Sequence, residues 1–284
     1  MGGVAVVTGA SSGIGAATSR LLHERGFRVY AVGRRVERMA PLAALGVATV
    51  RADVTVDADL VALVDRVLGE TQRIDVLVNN AGYGSFGALE DVPPVEARRQ
   101  FEVNVFAAAR LCQLVLPQLR AQGSGRIINV SSVGARMYQP LGAWYHATKY
   151  ALEGLSDCLR VEVGPLGIDV VLIEPGAIGT EFGGVAGEQL LSVSGDGAYA
   201  GYARRYAVAL TSGDTAGISP PSVVARAIVR AATVRRPRAR YAVGRGARAA
   251  LAARWLLPDR AYDRLVTGLF SAVAAAAARR AGRS

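Results

Sequence analysis

The chain has 284 residues, of which 51% are hydrophobic and 20% are charged. This composition excludes a disordered protein and supplies enough apolar side chains for a sizeable core. The net charge of +10 is concentrated near one end, because residues 225–284 hold 14 arginines and only two aspartates. Three interpretations remain open for this segment: a solvated arginine-rich surface, contact with an anionic membrane surface, and nucleic-acid binding. We expect no nucleic-acid binding, because no recognisable nucleic-acid-binding motif accompanies this cluster of arginines.

The first 175 residues alternate short apolar runs with stretches of helical periodicity. Strands are predicted at Val4–Thr8, Arg28–Val32, Ala48–Ala52, Val76–Asn79, Arg126–Val130 and Asp169–Ile173. Helices are predicted at Gly15–Arg25, Leu60–Glu70, Val95–Arg120 and Tyr145–Val163. Strands separated by helices of this length imply right-handed crossovers, so we predict an α/β fold with a doubly wound parallel sheet covered on both faces.

The pattern loosens after residue 175. Residues 182–219 are rich in glycine, serine and tyrosine, with Tyr199, Tyr202 and Tyr206 among them. Ligands bind beyond the carboxyl ends of the strands in such a sheet, which favours a substrate lid here. The alternative is that these residues form an ordinary surface loop. A helix at Ser222–Thr233 and an edge strand at Arg240–Val243 are predicted to follow, which completes one domain over residues 1–244.

Residues 245–284 are predicted to form a basic and apolar helical extension. Its apolar run Leu265–Ala278 is shorter than the roughly 20 residues that a membrane-spanning helix needs. A packing or interfacial helix is therefore expected. No charged leader with an apolar run stands at the N-terminus, and the two cysteines and two histidines show no disulfide or zinc spacing. We expect a cytoplasmic protein without a metal, with peripheral membrane contact through the extension as the alternative.

A glycine-rich turn, Thr8 to Gly15, joins the first predicted strand to the first helix. Glycines at that place let backbone N–H groups approach a pyrophosphate at the positive end of the helix. At the end of the second strand stand Arg34 and Arg35, with no carboxylate before Glu37. An arginine there favours a ribose 2′-phosphate over a free 2′-hydroxyl, which predicts NADP(H) over NAD(H). The alternative is that both arginines only face solvent.

Lys149 is the single lysine among 33 basic residues, and it follows Tyr145 by four positions. On a helix the two side chains share one face, and a nearby cation lowers the pKa of a phenol from about 10. The pair thus predicts a proton donor and acceptor usable near neutral pH. The alternative is a surface lysine beside a core tyrosine. His146 points about 100° away from Tyr145 on such a helix, so we expect it at the surface or an interface.

Together these motifs resemble the short-chain dehydrogenase/reductase family over most of residues 4–180. The resemblance includes the turn at 8–15, Asn-Asn-Ala-Gly at 79–82, the Tyr-x-x-x-Lys pair, and Pro175-Gly176. It implies a Rossmann-type fold and the catalytic residues Asn104, Ser132, Tyr145 and Lys149. Ser131 remains the alternative for the serine.

The family's roles imply that Tyr145 exchanges the proton, Ser132 holds the substrate oxygen, Lys149 binds the nicotinamide ribose, and Asn104 holds a relay water. The residues implied to contact NADP(H) are Gly9, Ser11, Ser12, Gly13, Ile14, Gly15, Arg34, Arg35, Asp53, Val54, Asn80, Ala81, Gly82, Tyr145, Lys149, Pro175, Gly176, Ile178 and Thr180.

Bulky side chains near the expected pocket favour a lipophilic or aromatic ketone or secondary alcohol, steroid-like or polyketide-type. These residues are Tyr83, Phe86, Met137, Tyr138 and Phe182. The expected function is therefore an NADP(H)-dependent oxidoreductase acting on a small-molecule carbonyl or alcohol. A sugar-nucleotide epimerase or dehydratase and a non-catalytic NADP-binding sensor or scaffold are the alternatives. The family also implies a homodimer or homotetramer built through the two long helices.

Overall fold

The computed structural model of the chain describes residues 2–211 and 218–281. One seven-stranded sheet runs through it, and every neighbouring pair of strands is parallel. The strands are β1 (Val4–Thr8), β2 (Arg28–Gly33), β3 (Ala48–Arg51), β4 (Val76–Asn79), β5 (Gly125–Val130), β6 (Ile168–Pro175) and β7 (Arg240–Val243). Their order is β3-β2-β1-β4-β5-β6-β7. This confirms the prediction of a Rossmann-type doubly wound sheet.

Eleven α-helices accompany the sheet in the described part of the chain. They are α1 (Gly13–Glu24), α2 (Ala40–Ala43), α3 (Asp57–Thr71), α4 (Pro94–Phe101), α5 (Ala107–Gln122), α6 (Ala143–Val163), α7 (Phe182–Ser194), α8 (Ala200–Thr211), α9 (Pro221–Thr233), α10 (Ala247–Leu256) and α11 (Asp259–Ala281). The sequence predicted a single helix over Val95–Arg120, whereas a π-helical turn at Glu102–Phe106 separates α4 from α5.

Two apolar layers cover the sheet, because successive side chains of a strand point to opposite faces. On β1, Val4 and Val6 pack in one layer with α3 and α5, while Ala5 and Val7 pack in the other with α1 and α9. All five residues of β1 are buried. The near-continuous apolar runs of the central strands follow from this burial on both sides.

The segment interpreted as a lid, residues 182–219, forms α7 and α8 where the structure describes it. Both helices pack over α6 in a third apolar cluster that includes Phe86, Tyr145, Ala186 and Tyr206. Helices rather than an irregular loop arise here because small and apolar residues recur on the faces that meet. Residues 212–217, at the end of the predicted lid, lie outside the described residues.

The C-terminal extension packs onto the domain through α10 and α11. Tyr262 of α11 is buried, and its ring meets that of Tyr138 edge-on with centroids 5.0 Å apart. The Tyr138 hydroxyl donates to Asp263 Oδ1 over 2.9 Å, and the Arg254 guanidinium lies over both rings. Within the described residues, no helix combines the length and apolar character needed to cross a bilayer.

Candidate active site

The carboxyl ends of the strands open into a cavity of about 1380 Å³. It is continuous from the glycine-rich turn to the lid helices, as expected where the strand order reverses between β1 and β4. The predicted site residues that line it are Gly9, Ser12, Gly13, Ile14, Arg34, Arg35, Asn80, Ala81, Gly82, Tyr83, Phe86, Ser132, Met137, Tyr145, Lys149, Pro175, Gly176, Ile178, Thr180 and Phe182. One cavity therefore brings together most of the residues predicted to bind the cofactor and three of the four predicted catalytic residues.

The turn between β1 and α1 has the shape of an anion cradle. Gly9 and Gly13 adopt positive φ angles of 65° and 53°, which side-chain-bearing residues rarely tolerate. A Cβ at Gly9 would lie 2.9 Å from the Cα of Ala81, and one at Gly13 would lie 3.0 Å from Thr180 Cγ2. The glycines thus keep space open at the N-terminus of α1, where a helix favours negative charge.

Thr8 and Asn80 hold this turn against the neighbouring strand. The Thr8 hydroxyl accepts hydrogen bonds from the backbone N–H groups of Asn80 and Ala81, each over 3.0 Å. In return, Asn80 Nδ2 donates to the Thr8 carbonyl oxygen over 2.9 Å. These bonds fix the Asn-Asn-Ala-Gly segment beside the glycine turn.

Ser132 and Tyr145 meet at the inner end of the cavity. The Ser132 side chain lies close enough to Tyr145 to lower the pKa of the phenol, and its Oγ accepts the backbone N–H of Gly134 over 3.0 Å. Ser131 also lines the cavity, but its buried Oγ makes no hydrogen bond among the described residues. The geometry therefore favours Ser132, as the spacing did.

Lys149 lies behind the tyrosine, and its Nζ donates to the Val130 carbonyl oxygen over 3.0 Å. Burial lowers the pKa of Lys149 to about 8, although the charge of Glu153 raises it in part. Burial also raises the pKa of Tyr145, which the hydrogen bond from Ser132 lowers only in part. The expected lowering of the tyrosine pKa is therefore not found in this structure, because the cost of burying a phenolate exceeds the stabilisation it receives.

Asn104 lies in the π-helical turn, one layer behind the cavity lining. Its Oδ1 accepts the Tyr83 N–H over 3.0 Å, and its Nδ2 donates to the Tyr83 carbonyl and to Thr148 Oγ1. Single π turns within helices recur at functional sites. Here the turn directs a buried amide toward Gly82 and α6, since a Cβ at Gly82 would lie 3.1 Å from Asn104 Oδ1 and 3.7 Å from Lys149 Nζ.

Comparison with protein families agrees with this arrangement. The family model described as short chain dehydrogenase matches residues 3–190. The chain belongs to the short-chain dehydrogenase family. Among its relatives, a probable short-chain type dehydrogenase/reductase, VdlC, of Helicobacter pylori is 34% identical over 268 residues, covering 92% of this chain and 96% of the relative.

Two further relatives of this dehydrogenase family carry more specific names. An NADPH-dependent 3-dehydrocapnine reductase of Ornithobacterium rhinotracheale is 35% identical and covers 92% of this chain and 95% of its own. A 3-ketodihydrosphingosine reductase of Bacteroides thetaiotaomicron is 39% identical over 180 residues, which is 63% of this chain and 65% of the relative.

Solved structures of short-chain dehydrogenases share the fold. One from Streptomyces avermitilis has a TM-score of 0.76 at 35% identity, over 89% of this chain and 92% of its own. A metagenomic enzyme in complex with NADP has a TM-score of 0.66 at 30% identity, over 84% of this chain and 96% of its own. An enzyme from Burkholderia phymatum in complex with NAD has a TM-score of 0.72 at 25% identity, over 84% of this chain and 88% of its own.

The two arginines after β2 take part in ion pairs in this dehydrogenase. Arg34 Nη1 lies 3.8 Å from Asp53 Oδ2, and Arg35 Nη2 lies 3.7 Å from Glu181 Oε2. Arg38 also pairs with Glu181. Both Arg34 and Arg35 line the cavity with exposed side chains. The sequence motifs did not indicate Arg38 or Glu181, because this contact joins residues far apart in the chain.

Six predicted site residues lie outside the lining of the cavity: Ser11, Gly15, Asp53, Val54, Asn104 and Tyr138. Gly15 packs beneath the turn, where a Cβ would overlap the carbonyl oxygen of Gly9. Val54 packs against the core, and Asp53 reaches the cavity only through Arg34. Cofactor contact by Ser11, Gly15, Asp53 and Val54 stays a prediction, as does the catalytic role of Asn104.

Two placements differ from the sequence analysis. Tyr138 is absent from the pocket lining, because its ring and hydroxyl pack on α11 of the extension. His146 is buried rather than at the surface, and its Nδ1 lies 2.7 Å from the Gly134 carbonyl oxygen. Burial lowers the pKa of His146. The loop that carries Ser132 covers this side of α6, which helical periodicity alone does not reveal.

The part of the cavity around Tyr145 is aromatic. The ring of Tyr145 lies 5.3 Å from that of Phe86 and 5.5 Å from that of Phe182, measured between centroids. Several residues that sequence analysis missed also line the cavity: Gln139, Val185, Leu210, Arg245, Gly246, Ala247 and Ala250. Of the three lid tyrosines, Tyr206 is in this lining. The extension thus contributes a wall to the site.

Proposed function

We propose that this dehydrogenase interconverts a lipophilic or aromatic ketone and its secondary alcohol with NADP(H). The proposal rests chiefly on one observation: Ser132, Tyr145 and Lys149 line the same cavity that the glycine cradle opens into. A serine hydroxyl and a phenol in one cavity can both donate hydrogen bonds to a carbonyl oxygen, which gains negative charge as it is reduced.

In this reaction Tyr145 gives its proton to the carbonyl oxygen, or takes it back in the oxidative direction. Ser132 donates a hydrogen bond to the same oxygen and holds it in place. Lys149 supplies a buried cation beside the tyrosine, and Asn104 orders the backbone of Tyr83 at the cavity wall. A bound nicotinamide supplies or accepts the hydride.

The preference for NADP(H) is supported by Arg34 and Arg35 at the cavity wall after β2. A guanidinium pairs well with a 2′-phosphate, whereas the chain has no carboxylate directly after β2, before Glu37, to bind a free 2′-hydroxyl. The relative named as NADPH-dependent adds support. Because a similar structure is in complex with NAD, binding of both cofactors is measured below.

The aromatic lining supports a lipophilic substrate, and 3-ketodihydrosphingosine is a suitable first probe because a relative is named for its reduction. We also propose that α7 and α8 act as a lid over a catalytic domain of residues 1–244. Phe182 and Tyr206 support this, because each contributes to the cavity wall and packs near Tyr145.

The experiment combines cofactor titration with turnover. Fluorescence titration with NADPH and NADH is compared for the wild type, Arg34→Ala and the control Arg20→Ala, whose side chain is exposed on α1. Loss of one charge-assisted contact is expected to weaken NADPH binding by about tenfold or more and to leave NADH binding nearly unchanged. Equal effects on both cofactors would contradict the assignment of NADP(H).

Turnover of 3-ketodihydrosphingosine and simpler ketones is then measured for Tyr145→Phe. Removing the proton donor is expected to lower kcat by roughly 10²–10⁴ while NADPH still binds. Tyr150→Phe, on the exposed side of the same helix, is the control. Unchanged turnover in Tyr145→Phe would contradict the catalytic role, and a preference for small polar ketones would contradict the lipophilic substrate.

Two partner surfaces are also proposed. Exposed apolar side chains on the long helices, Val95, Phe106 and Val161, support a homodimer or homotetramer built through α4, α5 and α6. At the end of α10, Trp255 is 84% exposed and Leu256 67% exposed, close in sequence to the exposed Arg248 and Arg260. An exposed tryptophan with flanking arginines supports peripheral contact with an anionic membrane.

A further inference from the structure

Two glutamates lie buried side by side behind the candidate active site. Glu153 of α6 is 5% exposed, and Glu174, one residue before the end of β6, is 3% exposed. Two arginines lie against both: Arg136 Nε is 3.2 Å from Glu153 Oε2 and from Glu174 Oε1, and Arg240 Nε is 3.3 Å and 3.4 Å from the same two atoms. The carboxyl groups are thus held close together by shared cations.

The crowding of the two carboxyl groups favours a shared proton. Glu153 Oε2 and Glu174 Oε1 both lie 3.2 Å from Arg136 Nε, which brings the two acidic side chains together away from water. Glu153 Oε1 is buried, and no described donor reaches it. Burial raises the pKa of Glu174 to about 7, and the charge and hydrogen bond of Glu153 add to this rise, while the two arginines oppose it. Like charges at such separation away from water favour sharing one proton.

The pair is joined to each part of the active site. Glu153 follows Lys149 by one helical turn and interacts with its charge. Glu174 directly precedes Pro175-Gly176, which line the cavity, and Arg136 lies four residues after Ser132 in the same loop. The ionisable groups that face the pair are Arg136 from the loop after β5, Lys149, Tyr150 and Asp157 from α6, and Arg240 from β7.

We propose that Glu153 and Glu174 hold one proton between them and act as positioning residues, fixing α6 and the Pro175-Gly176 segment relative to each other. When that proton is lost, the two carboxylates repel each other across the contact between α6 and β6. The cavity wall at Pro175 then moves away from Lys149. The catalytic consequence rests on the proposed function, whereas the shared proton does not.

The proton is observed directly by infrared spectroscopy. Wild type at about pH 6 is expected to show the C=O stretch of a buried protonated carboxylic acid, which fades as pH rises through about 7 and is lost at about pH 9. Glu174→Gln is expected to lack this band, and the exposed Glu162→Gln, on the same helix, is expected to keep it. Absence of the band in wild type would overturn the proposal without reference to any variant.

Unfolding gives a second readout. Because the pKa of Glu174 is higher in the folded protein than in the unfolded chain, its contribution to stability is present at low pH and is lost as pH rises through about 7. The urea midpoint of wild type, relative to that of Glu174→Gln, is therefore expected to fall between about pH 5 and about pH 8. A constant difference would overturn the proposal.

The catalytic readout is the KM for NADPH. In wild type it is expected to rise severalfold above about pH 7, whereas Glu174→Gln, whose amide mimics the protonated acid, is expected to keep the low value. A rise of equal size in both would overturn the positioning role. If no ketone is turned over at all, the proposed function fails, while the infrared and unfolding measurements still decide the question of the shared proton.

Discussion

Lys149 carries a cation in a place that disfavours charge. Its side chain is 7% exposed, and its Nζ donates a hydrogen bond to the Val130 carbonyl oxygen. Desolvation lowers its pKa to about 8, with the charge of Glu153 acting in the opposite direction. Since the chain has no other lysine, the titration of this ammonium is not overlapped by that of any other lysine side chain.

This pKa shift predicts how stability depends on pH. Above the folded pKa the buried lysine is neutral, whereas the unfolded lysine still binds a proton up to its ordinary pKa of about 10.5. The free energy of unfolding of wild type, relative to Lys149→Met, is therefore expected to increase with pH from about 8 to about 10, by up to about 3 kcal/mol.

Urea unfolding of both proteins at several pH values measures this difference. Titrations that the two proteins share cancel in the comparison. A difference that stays constant from about pH 7 to about pH 10 would show that Lys149 keeps an ordinary pKa in the folded protein.

At the scale of single residues, spacing in the sequence predicts neighbours on one element, but it does not predict contacts between residues far apart in the chain. The lining of one cavity by both Ser132 and Tyr145 agrees with a spacing read directly from the sequence. The ion pair of Arg38 with Glu181 joins residues 143 positions apart, so no local sequence pattern predicts it. The burial of His146 escaped detection for the same reason, because it depends on the loop at Gly134.

At the scale of single elements, the turn from β1 to α1 depends on the absence of side chains. Gly15 is buried in the first turn of α1, and its position allows no Cβ beside the Gly9 carbonyl. Gly69, in contrast, is exposed in the interior of α3, where nothing lies within 4 Å of an added Cβ.

The same substitution is therefore expected to act in opposite directions at these two sites. Gly69→Ala is expected to raise the free energy of unfolding by about 0.5–1 kcal/mol, because alanine reduces the entropy of the unfolded chain. Gly15→Ala is expected to lower it and to weaken binding of both NADPH and NADH, because the turn must shift. Urea unfolding and fluorescence titration measure both effects, and intact cofactor binding in Gly15→Ala would contradict the proposed role of the turn.

Strand positions were predictable because the apolar runs of a parallel sheet are nearly continuous, as at Val4–Thr8 and Val76–Asn79. The π turn at Glu102–Phe106 was not, because the residues on either side have the same helical periodicity. Its position depends on the contacts of Asn104 with Tyr83 and Thr148, which form only in the folded chain.

At the scale of the whole molecule, the C-terminal extension lines the cavity on one side and exposes apolar side chains on the other. Its inner side reaches the cavity through Arg245 to Ala247 and Ala250, which the sequence division at residue 244 did not indicate. Its outer side exposes Trp255 and Leu256. A membrane-bound enzyme would therefore hold the cavity wall close to the lipid.

This arrangement is tested by vesicle sedimentation. Wild type is expected to bind vesicles that contain phosphatidylglycerol and not vesicles of phosphatidylcholine alone, because both charge and apolar insertion are needed. The double variant Trp255→Ser/Leu256→Ser is expected to lose this binding, and Leu45→Ser, an exposed leucine elsewhere, is expected to keep it. Equal sedimentation of all three proteins would exclude the proposed surface.

The division of the cavity walls also bears on how such an enzyme can change its substrate. The family model matches residues 3–190, which include the glycine turn, Ser132, Tyr145 and Lys149. Walls at Tyr206, Leu210, Ile218 and Arg245 to Ala250 come from later in the chain. Exchange of the C-terminal third between relatives would thus alter the shape of the cavity while leaving Ser132, Tyr145 and Lys149 in place. Recombination near residue 190 would therefore join a different set of cavity walls to the same three side chains.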